Sequence, residues 1–528
     1  MYFAEILSVK MKVKYMYKFV KELKEIYTHK PNGGFKESET FLDTSLQKNI
    51  DYLQKKFQNS ADLTIHEMTL SGIKTAVITI DGLVNKDILA LGVIKPLFEY
   101  DFNGTADECF NEIKSKILYT AELVDIKTFE MVEKFSMSGF AVLAVNGCNK
   151  MLAIGIQGFS FRSVSEPESD VVQRGSKEGF VEALRINMSL IRRRIKNPKL
   201  KFETMTVGNV SKTDICLCYL TDTVSKKILG KLKERINNTD LDTVFASGYL
   251  VPFLEERGDF SFFSGVGVSE RPDTVCGKIT EGRIAILVDG APSALIVPYL
   301  FVEYFQTLDD YSNRAYFATF TRWLKYFAFF ISFLLPGIYV ALGTFHSEMF
   351  PTLLLNKIAG AIGDTPLSLM AETILIHFVY EIMREAGLRM PQPLGYAVSI
   401  VGGLVVGETA VNSGLIGAPT LMVVAITAIC SYVIPSLYAP SAVLRLIFTL
   451  AGGIIGIWGV TILFCMVLVN ICGKNSFGIP YTSPVTPFSV VAMRDVIVRA
   501  GWKILSKKTE KVQDLPGANL RNEDSKDE

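Results

Sequence analysis

The stretch from Met390 to Cys472 holds only two charged side chains, Glu408 and Arg445, in 83 residues. A soluble domain cannot use such a stretch, whereas hydrocarbon suits it, because there each charge costs free energy and each apolar side chain gains it. The residues before it have the charge content of a water-soluble protein. We therefore expect a large soluble module joined to a membrane bundle, with a function that lies in how one drives the other.

Composition excludes several classes of protein. The formal net charge is +1, which argues against a nucleic-acid partner, since such a partner requires a clearly basic surface. The eight cysteines are scattered and form no secreted framework, which indicates a reducing compartment. Lysines at 10, 12, 14 and 18 interrupt any apolar core near the N-terminus, so we expect no signal peptide and a cytosolic soluble module.

Residues 1–42 form a basic arm. Its lysines and its apolar residues both recur at helical spacing. The pattern predicts an amphipathic helix that lies on anionic lipid or on a partner protein. A solvated helix packed on its own domain fits equally well.

Two segments share a repeated pattern. Lys74-Thr75 and Lys212-Thr213 each lead a β-branched run and then a helical pattern, and Val145-Asn146-Gly147 and Val288-Asp289-Gly290 each mark a later hairpin. We predict an α/β soluble module of two related lobes, at 43–158 and 205–320, although such patterns also match by chance.

A connecting helical segment, 159–204, is predicted between the lobes. Gly175–Phe180 is expected to open a helix that runs to about Ile195, with Ser176 as its cap. Glu178, Arg192, Arg193 and Arg194 are candidate interface residues, because guanidinium groups among carboxylates favour fixed pairing within or between subunits. Binding of phosphate or a lipid headgroup, or a solvated charged face, are the alternatives.

The transmembrane helical domain is predicted at 321–473. Its expected segments are Tyr326–Phe345, a helix at about Leu367–Arg384, a Gly-rich stretch at Gly395–Asn412, Leu415–Leu437 and a run from Ala442 to Cys472. The helix at about Leu367–Arg384 carries Glu372, His377 and Glu381, so it is either interfacial or buried in a bundle. Segments of about 20 residues span the hydrocarbon, which gives four to six membrane segments. Basic residues before the first span and after the last one place both termini on the cytosolic side. The segment 474–528 is expected to be cytosolic, with a disordered acidic tail from Glu510.

The segment around Glu408 is the sharpest candidate site. An acid in a Gly-rich span usually faces protein or water. It is interpreted either as part of a cation path or as one partner of a helix–helix hydrogen bond. The pore candidates are Glu408, Val411 and Asn412, and the candidate helix-packing glycines are Gly402, Gly403 and Gly407.

Enzymatic motifs are weak throughout the chain. Gly208–Thr213 lacks the glycine spacing of a phosphate loop, and Cys216-x-Cys218 is a weak metal signal on a strand. The four histidines show no ligand spacing, and no Ser/His/Asp arrangement can be defended. We expect no catalytic residues, no metal and no cofactor, and an enzyme is the least expected class.

Several motifs together resemble one family over roughly residues 43–505. They are Ser165-Glu166-Pro167 through Arg174-Gly175, Lys177-Glu178-Gly179-Phe180, Asn187 to Ile195, Glu270-Arg271-Pro272-Asp273, Glu281 to Gly290, Arg384-Glu385-Ala386-Gly387 and Ser476 to Tyr481. This set is similar to the signature of the A subunit of GerA-type spore germination proteins. The chain departs from it at Gly175-Ser176-Lys177, where the family usually has Arg-Gly-Pro-Arg, and at Arg499-Ala500-Gly501, where it usually has Arg-Ala-Pro.

The resemblance implies a receptor subunit in the inner membrane of a dormant bacterial spore. Such A subunits act with a permease-like B subunit and a lipoprotein C subunit, and the complex releases monovalent cations when small nutrients arrive. The A subunit resembles the channel part, a homo-oligomer with a pentamer as the expected form. Two alternatives stay open: a non-receptor paralogue similar to the SpoVAF proteins that amplifies ion release, and a solute transporter with a cytosolic regulatory module.

Overall fold

The computed structural model describes residues 40–102, 104–118, 122–158, 166–167, 170–256, 261–363, 365–390, 403, 407–506, 511–518 and 520. Residues 1–39 of the predicted basic arm, Gly402 and the last residues of the predicted tail lie outside the described residues.

The first lobe is a five-stranded antiparallel sheet in the order β1-β2-β4-β5-β3. Its strands are β1 (Leu63–Leu70), β2 (Ile73–Ile80), β3 (Leu123–Ile126), β4 (Phe140–Val145) and β5 (Met151–Gly155). Its helices are α1 (Leu46–Lys56), α2 (Lys86–Ile88), α3 (Lys95–Glu99), α4 (Ala106–Glu112) and α5 (Phe129–Ser136), with π-helical stretches at Leu89–Ile94 and Ile113–Ile117. Consecutive residues of β2 pack in different hydrophobic cores, with Val77 on one face of the sheet and Ile78 on the other.

The second lobe repeats this topology. Its sheet has the order β6-β7-β9-β10-β8, which is the order of the first sheet strand for strand, and the neighbouring strands are again antiparallel. Its strands are β6 (Leu200–Val207), β7 (Thr213–Leu220), β8 (Gly267–Ser269), β9 (Ile284–Val288) and β10 (Ala294–Val297). Its helices include α6 (Leu184–Arg194), α7 (Lys226–Asn237), α8 (Val251–Leu254) and α9 (Pro272–Thr280), with a 3-10 turn at Ser247–Leu250. The prediction of two related α/β lobes is confirmed.

The repeat extends to the helix that precedes each sheet. Asn146, in the β4–β5 turn, accepts the N–H of Leu46 at 3.0 Å, and Asp289, in the β9–β10 turn, accepts the N–H of Leu184 at 3.0 Å. These are the first residues of α1 and α6, so one hairpin side chain satisfies an unpaired helix N–H in each lobe. Gly147 and Gly290 close the two turns at φ 97° and 83°, a backbone region that glycine adopts without strain.

These contacts correct two predictions. The predicted helix at 176–195 begins only at Leu184, because the segment before it is extended: Phe180 N–H bonds to the carbonyl of Glu270 and Val181 N–H to the side chain of Asn187. Helix α6 is therefore the counterpart of α1 and belongs to the second lobe, and β6 begins at Leu200. The boundary predicted at residue 205 is too late, since it separates the second sheet from its own first strand and helix.

A buried ion pair joins the lobes. Arg192, on α6, is 0% exposed and binds both carboxylate oxygens of Asp62, with Nε–Oδ2 at 2.6 Å and Nη2–Oδ1 at 2.9 Å. The guanidinium also donates to the carbonyl oxygens of Asn197 and Leu200. Asp62 lies just before β1 in the first lobe, so this pairing holds the two sheets together.

The other two arginines of the run pair with one acid. Arg193 and Arg194 each approach the Glu178 carboxylate to 2.5 Å. Burial raises the pKa of Glu178, but the two guanidinium groups lower it by more, so its pKa lies below the ordinary value. All four candidate interface residues thus have partners within the chain.

The C-terminal segment packs on the second lobe. A short hairpin of β11 (Asn475–Ser476) and β12 (Ile479–Pro480), the helix α17 (Trp502–Leu505) and 3-10 turns at Ala492–Asp495 and Val512–Asp514 follow the last long helix. Val512, Ala518 and Leu520 are buried in the core of the lobe, and the carbonyl of Leu520 accepts a hydrogen bond from Ser225 at 2.8 Å. The prediction of a disordered tail from Glu510 is wrong for 511–518 and 520, because apolar side chains of these residues pack in the core of the second lobe.

The helical domain contains α11 (Ala315–Phe345), α12 (Thr352–Gly363), α13 (Leu369–Arg389), α14 (Ala418–Ser431), α15 (Tyr438–Ile455) and α16 (Ile457–Gly473). Phe301–Phe305 and α10 (Leu308–Ser312) lead into it, and 3-10 turns lie at Ser347–Met349 and Pro435–Leu437. Within the described residues, two helical stretches are long and apolar enough to cross a membrane, Ala315–Phe345 and Pro435–Ile455, and two shorter helices are also apolar. The count of four to six spans stays a prediction.

Glycines set the spacing between α11 and α15. A Cβ on Gly452 would lie 2.3 Å from the carbonyl oxygen of Gly337, and one on Gly337 would lie 2.7 Å from that of Phe448. The two backbones therefore meet without an intervening side chain, as small residues permit in packed apolar helices. Gly456, at φ 75°, separates α15 from α16, so the predicted run from Ala442 to Cys472 is two helices.

A second buried arginine connects the soluble module with the helices. Arg322, about two turns into α11, donates to Asp310 at 2.8 Å and to Asp495 at 3.0 Å. Lys325 reaches the other oxygen of Asp310 at 3.0 Å. One cluster therefore joins α10, α11 and the C-terminal segment.

We predict that Arg192→Met destabilises the chain by about 3–5 kcal/mol, since it leaves Asp62 buried without its partner. Denaturant unfolding of the purified chain measures this loss. The control is Arg185→Met: this side chain is 76% exposed and pairs with Asp81, so its removal should cost about 1 kcal/mol or less. The double variant Asp62→Leu/Arg192→Met should recover much of the stability. Equal losses for the two single variants would contradict the assigned role.

We predict that Gly452→Ala lowers the free energy of unfolding by about 1–3 kcal/mol, because the added methyl group would clash with the backbone of α11. Gly360→Ala is the matched control, since a Cβ there meets nothing within 4 Å and alanine favours the helix. Thermal unfolding of the detergent-solubilised chain compares the two variants. A Gly452→Ala variant as stable as the control would show that α11 and α15 are not in backbone contact.

Candidate functional site

Polar side chains recur along α13 inside the apolar helices. Glu372 is 0% exposed, His377 is also buried, and Glu381 and Arg384 are partly exposed farther along the helix. The sequence left open whether this helix is interfacial or buried in a bundle. Its N-terminal half is buried, and its C-terminal half reaches the edge of the bundle.

Glu372 lies where α13 meets the start of α14. One carboxylate oxygen accepts the N–H of Gly417, the residue before α14. The other oxygen is buried and has no hydrogen-bond partner. Next to it, the hydroxyl groups of Tyr339 and Thr420 lie 3.1 Å apart. The carboxyl group thus keeps free acceptor capacity in an apolar environment, where an unsatisfied polar atom is costly.

The side chain of His377 also lacks hydrogen-bond partners. Both ring nitrogens are buried and have no hydrogen-bond partner. In a bundle of apolar helices, such groups are expected at sites that bind water, an ion or a proton. Among the described residues, no group of three His, Cys, Asp or Glu side chains is arranged to hold a metal ion.

Arg445 is the hub of the helical domain. Its guanidinium donates to the carbonyl of Ser332 on α11 at 3.0 Å and to the hydroxyl of Ser431 on α14 at 2.5 Å, and it lies 3.5 Å from Glu381 on α13. Arg445 itself is on α15, so one side chain contacts three other helices. A charge that is removed from water in this way fixes their arrangement.

Glu381 collects three further contacts at the edge of the bundle. The hydroxyl of Tyr438 lies 2.8 Å from both of its carboxylate oxygens, and Arg384 donates to it at 3.1 Å. The guanidinium of Arg384 also lies over the Tyr438 ring, 4.1 Å from its centroid. This end of α13 is therefore a closed network of paired groups, unlike the unpartnered Glu372 and His377.

The pore candidates are on a different surface. Residues 407–412 are helical, with Glu408 and Asn412 exposed and Val411 half-buried. In the described part of the chain, the side chain of Glu408 makes no hydrogen bond or ion pair. Gly407 is buried, and a Cβ there would lie 3.3 Å from Leu421 on α14, while Gly403 faces Met383 on α13. The structure therefore separates the exposed Glu408 from the buried polar groups of α13.

Sequence reasoning missed the link between Arg445 and Glu381. Both residues were visible, Arg445 as one of two charges in the apolar stretch and Glu381 as one of three titratable groups on a helix. They are 64 positions apart, so no local pattern connects them. The available signal was the rule that a charge within apolar helices needs a partner.

The chain is similar to several known proteins. The family model described as Bacillus/Clostridium GerA spore germination protein matches residues 51–511. Spore germination protein KA of Bacillus subtilis (strain 168) is 37% identical over 482 residues, which cover 90% of this chain and 88% of that protein. Spore germination protein B1 of the same organism is 33% identical over 485 residues, with 91% and 99% covered.

A solved structure also matches part of the chain. It is the crystal structure of the N-terminal domain of the A subunit of the Bacillus megaterium spore germinant receptor GerK3, which is 28% identical with a TM-score of 0.39. The match covers 50% of this chain and 99% of that chain.

The match to the family model runs from α1 in the first lobe, through the helical domain, to the C-terminal segment on the second lobe. The chain therefore belongs to the GerA family of spore germination proteins.

Proposed function

We propose that this chain is the membrane subunit of a spore germinant receptor and its cation-conducting component. It would work as a homo-oligomer, with a pentamer as the expected form, beside a permease-like B subunit and a lipoprotein C subunit. Its place would be the inner membrane of the spore, with both termini on the core side. It would open in response to nutrients and catalyse no reaction. Family membership supports the role in germination, and the apolar helices support the membrane location.

The exposed Glu408 carries the channel proposal. A charged side chain within the bilayer costs about 2.5–3.5 kcal/mol even on the most permissive scales, so it should face water or protein rather than lipid. The Glu408 carboxylate has no partner in the described part of the chain, and Asn412 lies exposed one helical turn further on. In a ring of identical subunits, one such acid per subunit becomes a ring of acids, which attracts cations.

The contacts of Arg445 would hold the helices of this component in a fixed arrangement. Arg445 contacts α11, α13 and α14, so these helices should move as one body when the channel opens. The short helix with Glu408 lies outside that network and packs on it through Gly407. Opening would then require a shift of the 407–412 segment between subunits rather than a rearrangement within each bundle.

We predict that Glu408→Gln slows potassium efflux severalfold after nutrient addition, because the variant removes the negative ring but keeps side-chain volume and hydrogen bonding. Efflux from spores is measured together with the abundance of the receptor. Glu385→Gln is the matched control, since Glu385 is an exposed acid of the helical domain that is paired with Arg389. It should leave efflux unchanged.

The competing role of Glu408 is a structural hydrogen bond between helices. In that case Glu408→Gln would preserve efflux, and Glu408→Leu would mainly lower receptor abundance. Normal efflux from the glutamine variant at normal abundance would remove Glu408 from the pore.

A further inference from the structure

A cavity of about 420 Å³ lies beside the first three turns of α11. Tyr316, Thr319, Phe320 and Trp323 line it from the helix, and Val498 and Arg499 line it from the C-terminal segment. The three aromatic side chains are largely exposed. Tyr and Trp side chains, which are apolar on one side and polar on the other, are typical of the boundary between water and membrane.

Arg499 is the unusual member of this cavity. It is 2% exposed, yet its Nε and Nη2 atoms are buried and have no hydrogen-bond partner. Its backbone N–H donates to the hydroxyl of Thr319 at 3.1 Å, which holds the segment against α11. The guanidinium lies 4.9 Å from the Trp502 ring and 5.9 Å from the Tyr311 ring. These rings stabilise a cation but accept no full hydrogen bond from it.

The neighbouring carboxylates are already paired. Asp310 binds Arg322 and Lys325, and Asp495 binds Arg322 and the hydroxyl of Tyr311. Arg499 therefore keeps a buried positive charge that no acid of the described chain compensates. An uncompensated buried charge is strongly destabilising, so an anion from outside the chain is the natural partner.

We propose that Arg499 binds the phosphate of an anionic phospholipid. A guanidinium presents paired N–H groups that match phosphate oxygens. Helix α11 has 31 residues, about 46 Å at 1.5 Å per residue, so its first turns extend beyond a hydrocarbon layer of about 30 Å into the headgroup region. Lys503, exposed on α17 beside Trp502, adds positive charge near the cavity.

An apolar groove provides a place for the acyl chain. A cavity of about 640 Å³ runs between α11 and α16 and is lined by Phe327, Phe330, Phe464 and Leu468. Trp323 lines both this groove and the cavity at Arg499. A lipid with its phosphate at Arg499 would therefore lay its chain along α11 toward the membrane interior. The inference rests on the membrane location proposed above and is independent of the channel role.

The test uses the purified full-length chain in detergent, with thermal unfolding as the readout. Dioleoylphosphatidylglycerol should raise the unfolding temperature, whereas dioleoylphosphatidylcholine and sodium phosphate should not. Arg499→Gln should weaken the phosphatidylglycerol effect about tenfold in lipid concentration, and Arg499→Lys should weaken it less. Arg314→Gln is the control, since Arg314 is an exposed arginine at the start of the same helix and should behave as the unchanged chain.

Several outcomes would overturn the lipid site. Equal stabilisation by both lipids would show no preference for an anionic headgroup, and an equal effect of sodium phosphate would assign the site to a free anion. A loss in Arg314→Gln as large as in Arg499→Gln would indicate general surface charge. If phosphatidylglycerol has no effect, Arg499 does not bind this lipid, and a carboxylate of a partner protein would be its counterion.

Two further measurements do not depend on the folding of the variants. Photoactivatable phosphatidylglycerol should cross-link the unchanged chain within 315–323 or 498–502, and labelling elsewhere would overturn the site. Reconstitution into phosphatidylcholine vesicles separates the two proposals: a chain that is extracted by carbonate contradicts both, whereas a chain that inserts without preferring phosphatidylglycerol contradicts only the lipid site.

Discussion

A buried guanidinium group needs oxygen atoms of the protein as hydrogen-bond partners in place of water. Four arginines of the described chain are fully buried, and their partners lie in distant segments. Arg192 joins the first lobe to the second through Asp62, and Arg322 joins the second lobe and the C-terminal segment to α11. Arg271 binds the carbonyl of Ser176 and so anchors the segment before α6, and Arg445 joins four helices of the helical domain. Each junction between units of the structure therefore depends on a charge that loses its partners if the units separate.

Duplication explains the soluble module more fully than two sheets of equal order. In both lobes, the side chain of an Asn or Asp in the last hairpin accepts the N–H of the first residue of a helix, 100 positions away in the first lobe and 105 in the second. An Asn in the first turn of each helix, Asn49 or Asn187, bonds back to the chain that precedes it. The unit that was repeated is thus a helix with its sheet, which places Arg192 at the lobe boundary because it is carried by the first helix of the second unit.

The helical domain distributes its polar groups according to what can satisfy them. Arg445 and Glu381 are paired and fix the helices, whereas Glu372 and His377 are buried with free hydrogen-bonding atoms. Glu408 is exposed on a helical segment outside that network. In the proposed channel, neighbouring subunits would bring this exposed acid together in a ring that attracts cations.

The sequence alone determined the features that arise from short-range patterns. Its apolar stretch required helices, its Asn-Gly and Asp-Gly turns located the hairpins, and its repeated runs indicated two related lobes. Only the tertiary structure decided that α6 starts at Leu184, since its first N–H is satisfied by Asp289, 105 positions away. It also decided that residues 511–518 and 520 pack on the second lobe and that Arg445 contacts Glu381. The reason is physical: turn chemistry and periodicity act between neighbours along the chain, whereas the cost of burying a charge or an apolar side chain depends on what distant segments place around it.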